Sequence, residues 1–115
     1  MNKLNEPQRT SNGFQYVAFD DLSENKCILE QSSIWLGDDN GKVGGSAIWL
    51  GVNNPNPKIL ARNAAKFGIK TDETCGWVSY PIPEEVSIST RIHIDRDQVK
   101  CLISHLQNWL KNSEF

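Results

Sequence analysis

SIWLGDDNGKVGGSAIWLG, residues 33–51, writes one apolar, tryptophan-bearing block twice: Ser33 to Gly37, and again from Ala47 to Gly51, fourteen residues later. The intervening GDDNGKVGGS holds two acids, an Asn-Gly step and a Gly-Gly pair, which supply turn chemistry and little else. The plainest expectation is two short strands joined as a hairpin. In such strands side chains alternate between faces, so Ile34, Leu36, Ile48 and Leu50 are expected on one pleat face and Trp35 and Trp49 on the other.

Upstream, FQYVAFD (14–20) and KCILEQ (26–31) read as strands separated by the turn DLSEN. Residues 1–13 carry charge, Asn, Ser and Pro without periodicity and read as a flexible arm, leaving 14–115 as one domain. Downstream, GVNNPNPKILARNAAKFG predicts a short helix from Pro57 to Phe67: Asn56 suits the cap, Pro57 the first turn, and Gly68 the left-handed residue after the last. That helix places Lys58, Arg62 and Lys66 on one strip.

Val86 to Ile94 (VSISTRIHI) alternates almost completely, with Val86, Ile88, Ile92 and Ile94 on one side and Ser87, Ser89, Arg91 and His93 on the other. Asp95 and Gln98 then stand in capping-box relation before a helix whose Val99, Leu102, Ile103, Leu106, Trp109 and Leu110 form one stripe. Burying six such side chains would contribute on the order of 10 kcal/mol gross, comparable with a domain's net stability. The expected architecture is α+β: a four- or five-stranded, mostly antiparallel sheet with a short helix and a C-terminal amphipathic helix packed on one face.

Composition narrows the function classes. The 115 residues are 38% hydrophobic and 23% charged, with net charge −2, and no apolar run approaches the ~20 residues a membrane span needs. Scattered lysines and arginines give duplex nucleic acid no basic stripe. The polar MNKLNEPQRTSNG lacks the apolar region of a signal peptide, so a cytoplasmic protein is expected. Cys27, Cys75 and Cys101 are odd in number and widely spaced, without C-x-x-C or histidine at ligand spacing, so free thiols and no metal site are expected.

Arg91 and His93 project from one strand face two residues apart, within reach of a single phosphate or carboxylate. Trp35 and Trp49 either fill the core or offer indole faces for stacking. Lys58 and Arg62, in the first turns of the expected helix, make the NNPNPK segment an anion-cradle candidate. The candidate ligand-binding set is therefore Trp49, Lys58, Arg62, Arg91 and His93. A general base needs a partner that orients it, and the only other histidine, His105, lies on the terminal helix. With no G-x-S-x-G, H-E-x-x-H or glycine-rich phosphate loop, catalysis, a cofactor and a metal are not expected.

The segments FDDLSENKCILEQSS, AIWLGVNNPNPKILA and PIPEEVSISTRIHIDRDQVKCLISHLQNWL together resemble a group of small uncharacterised proteins encoded in phages and prophages. The likeness runs over about residues 14–112. This chain departs from the group's pattern between Ser33 and Ser46, where a single IWLG and a shorter connection are expected. The resemblance implies a phage accessory protein that counters host antiviral defence, either by sequestering a nucleotide signalling molecule or by inhibiting a defence nuclease or effector in the manner of an anti-CRISPR. A nucleotide-cleaving enzyme is the remaining alternative. A homo-oligomer is expected.

Overall fold

The computed structural model describes residues 4–115. In chain order the elements are strands β1 (Gln8–Arg9), β2 (Gln15–Asp20), β3 (Lys26–Gln31), β4 (Ala47–Val52) and β5 (Lys58–Leu60), helix α1 (Ala61–Ala64) with a 3-10 turn at Ala65–Phe67, strands β6 (Trp77–Ser79) and β7 (Arg91–Asp95), and helix α2 (Arg96–Asn112). They form two units, one built from residues 1–53 and 90–115 and the other from 54–89. The architecture is α+β, as the sequence leads one to expect.

The first unit holds a five-stranded sheet in the order β1, β2, β3, β4, β7, every pair antiparallel. Strand β1 lies in the expected arm, whose residues 1–3 are outside the described residues. Asp21 shapes the β2–β3 turn. Its carboxylate accepts hydrogen bonds from the Ser23 and Asn25 backbone N–H groups and from the Asn25 side-chain amide. The Asn25 side chain, and then the backbone donors, stabilise the ionised form and hold this carboxyl below its ordinary pKa. The group therefore contributes stability that is lost only as pH falls through that lowered value.

The connection between β3 and β4 departs from the sequence reading. The first tryptophan block is not a strand: Ser33–Gly37 lies outside the sheet, with Trp35 74% exposed and Ile34 and Leu36 also exposed. The ladder ends where the Ser32 N–H reaches the Ala47 carbonyl, and the chain between them folds as a loop. Inside it, the buried Asp39 carboxylate accepts from the Gly41 N–H and the Ser46 hydroxyl, and the Ser46 oxygen accepts from the Leu36 N–H. Arg96, the first residue of α2, donates to the Gly45 carbonyl. The turn residues thus fold around one acid instead of closing a two-stranded hairpin.

The cleanest alternation in the chain also yields less strand than expected. Only Arg91–Asp95 is extended and paired; Val86 to Thr90 is not, and the Val86 N–H instead closes a turn onto the Pro83 carbonyl. Strand β4 ends at Val52, whose N–H meets the Thr90 carbonyl, so no neighbour remains for residues further upstream. Alternation tells which way side chains would point, not whether a partner strand exists.

Helix α2 begins with the expected capping box: Asp95 accepts from the Gln98 N–H, and the Gln98 side chain accepts from the Asp95 N–H. The helix abuts the sheet at β7, where its first turns border Ile92 and Ile94. None of its residues is buried, and Ile103, Leu106, Trp109 and Leu110 remain exposed. No described helix is long and apolar enough to cross a membrane.

In the second unit, β5 and β6 pair antiparallel, with Ile59 opposite Val78. The expected helix from Pro57 is displaced: Lys58–Leu60 is strand and the helix starts at Ala61. Pro57 drives the preceding Asn56 away from helical angles, and the Pro57 carbonyl accepts from the Tyr80 N–H, extending the ladder backwards. Gly68 does end the helical stretch, left-handed at φ 75° with its N–H on the Ala65 carbonyl. Ala61 and Ala64 are buried, and Phe67 meets Tyr80 edge to face at 6.4 Å.

Candidate functional site

Strand parity builds the site. In the sheet register Tyr16 faces Glu30, Glu30 faces Trp49, and Trp49 faces His93, so these four side chains form a row on one side of the sheet. Two residues along, Ala18, Ile28, Gly51 and Arg91 form the next row on the same side. Arg91 and His93 share one face of β7, as their spacing leads one to expect, and the register adds Trp49 to that surface, with Ile48, Leu50, Ile92 and Ile94 on the other.

Trp49 and His93 stack flat, ring centroids 3.8 Å apart and planes 6° from parallel. One indole face is thus occupied by the imidazole, and the His93 side chain is exposed while Trp49 is half-buried. His93 Nε2 lies 2.8 Å from the Ser32 Oγ, a residue only 2% exposed, and this oxygen also accepts from the Ile34 N–H. The ring is therefore held in plane from beneath by tryptophan and at its edge by serine.

Arg91 reaches across β4 to Glu30 on β3, with Nη1 3.2 Å from Oε1. The path is open because the residue between them is Gly51. A Cβ there would lie 2.3 Å from the Thr90 carbonyl oxygen and 2.6 Å from the Arg91 Cα. The glycine lets β7 close on β4 and lets the arginine stem cross. Arg91 engages Glu30 through a single nitrogen and its side chain is 31% exposed, which leaves other guanidinium N–H groups for a second acceptor. At the far end of the row the Tyr16 hydroxyl donates to the Gln8 side chain at 3.0 Å.

The other two expected site residues belong to the second unit. Lys58 is exposed on β5, opposite Ser79, and Arg62 is exposed on α1. The segment leading to Lys58 enters a strand, so the expected cradle at a helix start does not form there. The constellation described here rests on Trp49, Arg91 and His93, joined by Glu30 and Ser32.

Glu30 and Ser32 were not singled out by sequence reasoning. The signal for Glu30 was its place in KCILEQ, where parity puts it opposite Leu29 and Cys27. A carboxylate within a half-buried strand asks for a cation, but its partner lies 61 residues away.

Chemically the site is a half-exposed planar stack beside an arginine already paired with a carboxylate. A serine next to a histidine is the start of a nucleophilic pair, yet Ser32 is shielded from any substrate. Among the described residues no side chain bonds the second imidazole nitrogen to orient it. Nor, among the described residues, does any group of three His, Cys, Asp or Glu side chains stand close enough to hold a metal ion. Cys27 is buried with its thiol against the Asn25 carbonyl, while Cys75 and Cys101 are exposed free thiols. Comparison with protein-family models finds no match, and none is found among curated proteins or solved structures.

Proposed function

We propose that this chain is a binding module without catalytic activity, whose sheet face takes a planar, anionic, nucleotide-like ligand. In the phage setting suggested by its sequence resemblance, such a module counters host defence by sequestering a nucleotide signal. The observation that carries the reading is the flat Trp49–His93 stack with Arg91 in the adjoining row. The outer face of the imidazole offers a further stacking layer for a base, and the free guanidinium N–H groups offer donors for phosphate. Glu30 keeps the arginine extended over Gly51 in the absence of ligand.

Isothermal titration with ADP-ribose, cyclic dinucleotides and inorganic phosphate tests this reading. Heat with a nucleotide, lost by at least tenfold in affinity in Arg91→Ala, is the expected result. Glu30→Gln removes the competing carboxylate and tightens binding. No heat with any nucleotide sinks the proposal, and appearance of a cleaved product by chromatography turns it into an enzyme.

A second reading, an inhibitor that docks on a defence protein, is favoured by the exposed run Ile34, Trp35 and Leu36, since exposed aromatics anchor interfaces. It predicts a partner recovered from infected cells by the natural chain and lost with Trp35→Ala.

A further inference from the structure

Ser32 closes the edge of the stacked imidazole, and its hydrogen-bonding capacity fixes more than the position of that ring. A hydroxyl carries one hydrogen and two lone pairs. The Ile34 backbone N–H can only donate, so its 3.2 Å bond to the Ser32 Oγ uses a lone pair. The hydroxyl hydrogen then has one acceptor in reach among the described residues, the His93 Nε2 at 2.8 Å. Water offers no substitute, because Ser32 is only 2% exposed. A buried hydroxyl left without an acceptor forfeits a hydrogen bond that it makes in the unfolded chain.

The opposite arrangement, an Nε2–H donating to the same oxygen, leaves the hydroxyl hydrogen aimed at nothing. Reorienting the imidazole offers no escape. A ring turned over about its Cβ–Cγ bond sets a carbon against the Ser32 Oγ, and a ring swung aside gives up the flat contact with Trp49 at 3.8 Å. Tryptophan thus fixes the plane, and serine fixes which nitrogen is bare.

We infer that Ser32 is a positioning residue for this face: its hydroxyl donates to Nε2 and thereby keeps the proton of the neutral imidazole on Nδ1, as a donor to a bound oxyanion. The inference rests on the reading of the face as a ligand site and narrows it. In a neutral imidazole one nitrogen accepts and the other donates, so Nδ1–H is a donor on an exposed side chain, without a partner among the described residues. The carboxylates nearest in the register are engaged, Glu30 by the Arg91 guanidinium and Asp95 by the Gln98 N–H. What a ligand meets at both Arg91 and His93 is N–H. That selects a phosphate group of a nucleotide, not the amino group of its base, which the other tautomer, with a bare Nδ1, would accept.

Long-range proton–nitrogen correlation spectra of the full chain labelled at histidine, taken at about pH 8.5 where an imidazole is neutral, read the tautomer without any ligand. The chain has two histidines, and a His105→Gln variant shows which signals belong to His93. His93 is expected to show a protonated Nδ1 and a bare Nε2. In Ser32→Ala the proton is expected mostly on Nε2, the site that a free histidine side chain prefers. A bare Nδ1 in the natural chain, or a tautomer unchanged in Ser32→Ala, overturns the inference. In the second arm, ADP-ribose moves the Nδ1 signal further than adenosine does, and Ser32→Ala weakens ADP-ribose binding by roughly three- to tenfold. Heat from ADP-ribose with an unmoved Nδ1 signal overturns the donor role. Absence of binding by any probe sinks the ligand site and the donor role with it, whereas the tautomer set by Ser32 is decided by the ligand-free spectra alone.

Discussion

SIWLG and AIWLG share four letters in order and have opposite fates. The copy at 47–51 is a central strand, hydrogen-bonded on both sides, with Trp49 stacked on His93; the copy at 33–37 is exposed loop. Apart from Ser33 against Ala47 the two blocks have the same letters, so composition does not decide. What differs is the neighbourhood: AIWLG has Lys26–Gln31 on one side and Arg91–Asp95 on the other, whereas the first copy pairs with no strand. Strand propensity is largely the fit of a segment between neighbours.

The paired glycines test this most severely. Gly51→Ala drives a methyl into the backbone of β7, at the Thr90 oxygen and the Arg91 Cα, and should cost about 3 kcal/mol or unpair the strand. Gly37→Ala meets nothing nearer than 4.0 Å, at the Trp35 ring, and loses only its left-handed freedom at φ +82°, about 1 kcal/mol. Denaturant unfolding of both variants checks the contrast; equal costs would show that β4 and β7 are not in close apposition.

The tryptophans come next. Trp49→Ala removes a half-buried indole and the support of His93, at about 2 kcal/mol, and ligand affinity falls with it. Trp35→Ala changes stability by no more than about 0.5 kcal/mol. Unfolding midpoints separate the two, and a similar loss in both would mean that the first copy is covered in solution.

The same contrast explains what was legible in the letters. Parity placed Arg91 and His93 opposite Ile92 and Ile94, and Trp49 opposite Ile48 and Leu50, because a strand's two faces are fixed by its own residues; that Trp49 and His93 then share a surface follows from the register of β4 with β7. The capping box of Asp95 and Gln98 was legible for the same reason, being closed within four residues. Glu30 and Ser32 escaped notice because their partners Arg91 and His93 come from a strand 61 residues on. The first IWLG block, Lys58 and residues 86–90 were misread where a local pattern was right but the deciding partner was elsewhere or missing. The stripe of α2 was legible because helical spacing is fixed within the segment, yet most of its side chains stay exposed, since the helix meets the sheet only at β7.

A small net effect is expected where the two copies are reduced to one. In the register Gln31 faces Ile48, and sixteen residues separate them. Deleting Ser33 to Ser46, one full repeat length, leaves Ser32 and Ala47 as a two-residue connection between an unchanged pair, the length a β-hairpin accepts most readily. Shortening the loop this far lowers its closure cost by about 2 kcal/mol. Against that, Ser-Ala is not the residue pair such a turn prefers, and the hydrogen bonds of Asp39 and Ser46 go. The two nearly cancel, so stability should stay within about 1 kcal/mol and the melting temperature within about 5 °C. Circular dichroism and thermal unfolding measure this, and titration checks whether the binding proposed for Trp49, Arg91 and His93 is retained. Collapse of the fold on deletion would mean that the loop built around Asp39 holds the sheet together, and that the first copy, though exposed, is structurally required.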